Sequence, residues 1–143
     1  MTTHNQQSKC YALALKMLMR REHSQLELSK KLQLKCFNDT DIKYSIDLLI
    51  EQKYQSDKRF SEAFILMRYN QGKGPVIISS ELKKRGIESF DLSVFDWFKL
   101  LKEVRKKKFG QNLPLDYNTQ AKQKRFLESR GFAFDQINKA FPR

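Results

Sequence analysis

An all-α fold, built as an elongated, curved array of three tandem three-helix (helix-turn-helix-like) repeats, is what this sequence predicts, on three observations. Helix formers such as Leu, Lys, Glu, Gln, Met and Arg dominate the 143 residues, while 5 glycines and 3 prolines are too few to punctuate a many-stranded sheet. Apolar residues recur at helical spacing. One pattern also occurs three times, as LQLKCFNDTDI at 32–42, LKKRGIESFDL at 82–92 and LESRGFAFDQI at 127–137. Leu32, Leu82 and Leu127 begin it; Lys35, Arg85 and Arg130 follow, then Cys36, Gly86 and Gly131, then Phe37, Ile87 and Phe132, and finally Ile42, Leu92 and Ile137.

That pattern describes one helix ending and another beginning. A basic residue in the last turn meets the negative end of the helix dipole, and a glycine just beyond takes the left-handed conformation that closes the helix. The next apolar residue packs back on the helix end. Cys36 stands where the other copies have glycine, which predicts a cap that is weaker or different in shape.

Taken in order, residues 1–8 read as a disordered tail. The first repeat spans 9–53: a helix through Ala14–Arg20, a break at Glu22–His23, a second helix opened by the capping box Ser24-Gln-Leu-Glu27, and a third with Asp41 in its first turn. Ile42, Ile46, Leu49 and Ile50 form that third helix's apolar stripe. The second repeat spans 54–96, with a stripe of Phe60, Ala63, Phe64 and Met67, a joint at Gly72–Pro75, a helix running into Arg85-Gly86 and a further helix opened by Asp91. The third spans 97–143, with a flexible loop at Gly110–Asn118 and Gln123 in the place held by Leu28 and Ile78. Helices this short cannot bury their apolar faces alone, so neighbouring repeats are expected to stack.

Gly72-Lys73-Gly74-Pro75 invites comparison with a phosphate-binding loop. Such a loop needs G-x-x-x-x-G-K-[ST]; here the lysine lies between the glycines, and Pro75 lacks one of the N–H donors a phosphate cradle uses. Proline does suit the first position of a helix, so the stretch reads as a joint.

Charge points to a polyanionic partner. The balance is 28 Lys+Arg against 16 Asp+Glu, or +12, and residues 99–143 alone hold 12 basic and 4 acidic residues. Cys10 and Cys36 lie at no ligand spacing from His4 or His23, so neither a disulfide framework nor a metal site is expected, and no cofactor. The polar opening MTTHNQQSK and short apolar runs are not those of a secretory signal or membrane span, which suggests a soluble, cytoplasmic protein; a monomer is expected.

Tyr54, Asp57, Arg59-Phe60, Arg68, Gly72-x-Gly74-Pro75, Ile78, Glu81-Leu82 and Arg85-Gly86-Ile87 form an ordered string that resembles the central signature of the RecX family, bacterial modulators of the RecA recombinase. The resemblance runs from Ala14–Arg20 to Arg130-Gly131-Phe132. It departs at Lys53 and Gln55, where the family commonly has a small and an aliphatic residue around the tyrosine, and at Ser56. The segment from Leu92 to Phe109 is also shorter than the family's. The resemblance implies a non-enzymatic protein that lies in the groove of RecA–DNA filaments and inhibits ATP hydrolysis and strand exchange.

Candidate contacts with filament or DNA are Arg59, Arg68, Lys73, Lys83, Lys84 and Arg85 around the central joint, and Arg105, Lys106, Lys107, Lys108, Lys122, Lys124 and Arg125 in the basic end. Charged helix faces are often only solvated, and Arg59 and Arg68 equally suit ion pairs with Asp57 or Glu81 that fix the stacking. Phe95, Trp97 and Phe98 read as core rather than base-stacking residues. The alternative function is a helix-turn-helix protein that binds DNA without recombinase.

Overall fold

The computed structural model describes residues 3–142, and among these it contains eight α-helices and no strand. They are α1 (Thr3–Arg20), α2 (Gln25–Leu34), α3 (Asp39–Glu51), α4 (Asp57–Asn70), α5 (Pro75–Lys84), α6 (Trp97–Phe109), α7 (Tyr117–Ser129) and α8 (Phe134–Lys139). Helix α1 begins at Thr3, inside the stretch expected as a tail; residues 1 and 2 of that stretch lie outside the described residues.

Caps follow the local chemistry. Both halves of the Ser24 box form, with Glu27 N–H donating to Ser24 Oγ and Ser24 N–H donating to Glu27 Oε1, each at 3.1 Å. Asn38, Asp96 and Asp116 cap α3, α6 and α7 through side-chain oxygens. The repeated helix ends share one geometry: Ile87 N–H donates to Leu82 O and Gly86 N–H to Lys83 O, and Phe132 and Gly131 donate likewise to Leu127 and Glu128. Cys36, at φ +68°, makes the same pair of bonds through Phe37 to Leu32 and Cys36 to Gln33. The cap expected to differ in shape therefore keeps its shape, with a side chain held in a backbone region that favours glycine.

The chain divides into two compact units that do not coincide with the sequence repeats: Met1–Ala63 with Leu82–Phe90, and Phe64–Glu81 with Asp91–Arg143. In the first, α1 packs chiefly on α3, and Cys10, Ala14, Leu28, Leu32, Ile42, Ile46 and Leu49 form the core. Gly86 meets α2 there, 2.9 Å separating its would-be Cβ from that of Leu26. In the second, Leu100, Leu101, Leu127, Phe132, Ile137 and Phe141 form the core. The turn at Gly131 there lies against the start of α5, with Gly74 N–H donating to Arg130 O at 2.7 Å and Val76 N–H to Gly131 O at 2.8 Å. Each unit thus joins an Arg-Gly turn of one repeat to the second helix of the repeat before it. This is the stacking expected of short helical units, resolved to named atoms.

Two local expectations are corrected. Ile50, Ala63 and Met67 are exposed, and α4 instead buries Phe60, Ser61, Phe64 and Ile65. The observed stripe shares Phe60 and Phe64 with the expected one, and packing decides which flank turns inward. Asp91 opens no helix: its carboxylate accepts from the N–H and hydroxyl of Ser93, a local turn that competes with helix nucleation, so the second repeat has no third helix among the described residues. Phe95 and Trp97 are packed side chains, as expected, with Phe95 stacking on Tyr69 at 4.4 Å and Trp97 Nε1 donating to Leu92 O at 2.7 Å.

Candidate polyanion-binding surface

A cation serves a polyanion only if its charge is exposed and not already neutralised, and on that criterion the candidate residues separate sharply. In the first unit, Lys83 and Lys84 are exposed in the last turn of α5. Arg85 stands 3.8 Å from Glu27, a carboxylate that burial raises in pKa but that bonds from Arg21 and Ser24 N–H hold below its ordinary value on balance. Arg59 is structural in its contacts: Nε pairs with Glu22 at 2.9 Å, and Nη2 donates to the carbonyls of Lys53 and Tyr54. These bonds tie α4 to the turn that ends α3. Asp57 is engaged elsewhere, accepting from Gln25 N–H and Gln55 Nε2.

In the second unit, Arg68 pairs with Glu81 at 2.6 Å, donates to Gln71 Oε1 at 2.8 Å and lies over the Phe64 ring. Arg105 departs most from expectation. It is 5% exposed, and its guanidinium donates to Gln123 Oε1, Gly110 O and Gln111 O. It fastens the loop after α6 to α7 and presents no charge to a partner. Gln123, polar where the other repeats have Leu28 and Ile78, is its partner. Lys106, Lys107 and Lys108 are exposed in the last turn of α6 and, about 100° apart per residue, spread around its end. Lys122 and Arg125 are exposed on α7, Lys124 leans over the Phe141 ring, and Lys73 is half-buried.

Gly72-Lys73-Gly74-Pro75 is the joint between α4 and α5, with Pro75 at the first helical position. The Gly74 and Val76 N–H groups donate to backbone carbonyls, so these donors are committed to packing rather than to a phosphate.

A cleft of about 410 Å³ opens in the second unit between the end of α4, α6 and α7, lined by Tyr69, Glu103, Lys107, Lys108, Phe126 and Arg130 among others. Arg130 was expected only as a cap. Its guanidinium lies 5.0 Å from the centre of the Phe126 ring and Lys108 Nζ 5.5 Å from it. No carboxylate lies within ion-pair distance of Arg130, Lys107 or Lys108 among the described residues. The repeat pattern held the signal: Glu27, which faces Arg85, corresponds to Ile77 in the next repeat, so Arg130 meets no acid there.

Among the described residues no helix is long and apolar enough to cross a membrane, and no group of His, Cys, Asp or Glu has the makings of a metal site. Family models match three stretches: the first three-helix domain of RecX at residues 10–49, the second at 56–91 and the third at 96–141. Relatives described as regulatory protein RecX include one from Pseudomonas fluorescens, 35% identical over 132 residues that span 88% of this chain and 85% of the relative. Others come from Acinetobacter baylyi, 35% identical over 95% of this chain and 88% of the relative, and Pseudomonas entomophila, 38% identical over 88% and 85%. The crystal structure of RecX from Lactobacillus salivarius superposes with a TM-score of 0.81 at 24% identity, covering 96% of this chain and 95% of the other, which shows the shared fold. With three consecutive domain models matched and relatives aligned along most of its length, the chain belongs to the RecX family.

Proposed function

We propose that this chain is a cytoplasmic, monomeric regulator of DNA repair and recombination that binds RecA–DNA filaments in their helical groove and inhibits ATP hydrolysis and strand exchange. Membership of a family whose relatives are described as regulatory proteins supports the reading. The observation that carries it is the set of exposed, uncompensated lysines at the ends of α5 and α6 and on α7, in a chain of net charge +12. A nucleoprotein filament is a repeating polyanion, and a basic protein gains by displacing its counterions. Binding rather than catalysis is the mode of action.

The contact set is Lys83, Lys84, Lys106, Lys107, Lys108, Lys122 and Arg125, with Lys73 and Lys124 at its margin; Arg59, Arg68 and Arg105 support the fold. The test is DNA-dependent ATP turnover by RecA filaments as this protein is added. Turnover falls with wild type, falls less with the Lys106→Gln, Lys107→Gln, Lys108→Gln triple variant, and falls less as salt rises. Unchanged turnover at saturating protein refutes the reading. Tight binding to naked duplex DNA that recombinase does not enhance, losing about 0.9 log units of affinity per phosphate for each log unit of salt, identifies an independent DNA-binding protein instead.

A further inference from the structure

We infer that the cleft between the end of α4, α6 and α7 takes one nucleotide of a single-stranded nucleic acid, its base against the aromatic wall and its phosphate on Lys107, Lys108 and Arg130. The inference deepens the filament reading and rests on it for its biological setting, while its chemistry stands on the cleft alone. Four observations converge. The volume of 410 Å³ falls in the range of roughly 300–1,000 Å³ that ligand sites occupy. The lining combines rings and cations: Tyr69 and Phe126 with Lys107, Lys108 and Arg130. Arg130 and Lys108 are held over the Phe126 ring instead of by a carboxylate, so they are positioned without being neutralised. Arg130 is also anchored through its backbone, whose carbonyl accepts from Gly74 N–H at 2.7 Å.

The same unit supplies a contrast. Arg68, next in the chain to Tyr69 of the lining, spends its charge on Glu81 at 2.6 Å and carries no such role. A duplex presents phosphates with its bases stacked inside, and a concave aromatic site gains nothing from it. An unstacked base has a π-face for the rings and a phosphate beside it for the cations. An acidic peptide satisfies the cations but leaves the aromatic wall without a matching group. Glu103 is the one acid of the lining and opposes any phosphate placed there.

The experiment titrates the full chain and its variants against a short fluorescent oligothymidylate. Arg130→Gln and Lys107→Gln each weaken binding about tenfold, the worth of one charge-assisted contact. Each also lowers the slope of log affinity against log salt by about 0.7, the share of one phosphate on a single strand. Glu103→Gln acts oppositely and tightens binding, an effect that partial unfolding does not produce. Lys139→Gln, at an exposed position on α8, leaves affinity near wild type. An abasic oligonucleotide of equal length binds about tenfold more weakly, reflecting the lost stacking.

The inference is overturned if Arg130→Gln leaves affinity and salt slope unchanged, or if Lys139→Gln weakens binding as much, since bulk charge then suffices. It is equally overturned if abasic strand, duplex or polyglutamate displaces the probe as well as unlabelled oligothymidylate does. The two readings fail separately: oligothymidylate binding with these variant effects, in a protein that leaves filament ATP turnover untouched, removes the regulatory role and keeps the site.

Discussion

Gly74→Ala tests the seam that joins the second and third repeats. The conformation of Gly74 is one that other residues adopt, so the requirement for glycine is one of distance. A Cβ there lies 2.4 Å from Gly131 O and 2.6 Å from Phe132 N, both backbone atoms that cannot rotate away. Relief requires separating the start of α5 from the Gly131 turn, which breaks the bonds from Gly74 to Arg130 O and from Val76 to Gly131 O. Overpacking of this kind costs roughly 1–3 kcal/mol, and the two hydrogen bonds add about 1 kcal/mol each, for about 3–5 kcal/mol in all. In a chain of this length that corresponds to a fall in melting temperature of about 10–15 °C. Thermal unfolding by circular dichroism reads the loss, and faster hydrogen exchange at the Val76 amide places it. Lys73→Ala, one residue earlier, changes stability by less than about 0.5 kcal/mol. A cost below about 1 kcal/mol for Gly74→Ala, with Val76 protection intact, would show that the seam is not held by this close approach.

Four further outcomes are expected. Cys36→Gly stabilises by about 1 kcal/mol in denaturant titration, because the left-handed backbone at φ +68° is freed of a side chain; no gain means the strain is absent. Arg105→Leu costs about 2–3 kcal/mol, chiefly by undocking residues 110–116 in hydrogen exchange, yet leaves oligonucleotide affinity of the folded protein unchanged. A double-mutant cycle on Arg68→Met and Glu81→Gln gives a coupling of about 1–2 kcal/mol, and a value near zero shows the 2.6 Å pair to be energetically idle. His23 makes stability depend on pH. Its Nδ1 lies 3.0 Å from Arg21 O and its Nε2 2.9 Å from Lys31 Nζ, an arrangement that suits a neutral ring with its proton on Nδ1, since an ammonium group only donates. Burial, then the charges of Arg21 and Lys31, hold its pKa below 6.5 against the bond to Arg21 O. The unfolded chain therefore binds the extra proton first, so stability is full above pH 6.5 and declines as pH falls from there toward the lower folded value. His23→Gln flattens that decline, and an unaltered pH profile contradicts the assignment.

Much of the architecture was legible because it is local. A capping box, a basic residue and glycine at a helix end, and a proline at a helix start each act within one turn, so Ser24–Glu27, Gly86, Gly131 and Pro75 do what their chemistry dictates. The threefold pattern also implied that neighbouring repeats stack, since short amphipathic helices have nowhere else to bury their faces. Side chains reaching beyond their own turn were less readable. Arg105 and Lys106 are neighbours of like charge, yet one is buried and the other exposed, because α7 brings Gln123 beneath the first. Asp91 looked like a helix opener until Ser93, two residues on, captured its carboxylate.

The sequence alone determined the helical class, the repeat and the excess of positive charge, all properties of composition and short-range spacing. The tertiary structure decided which of those charges remain available. Ion pairing and burial depend on what distant segments place alongside a side chain, and folding put Glu22 beside Arg59 and Glu81 beside Arg68 while setting Arg130 among rings and other cations.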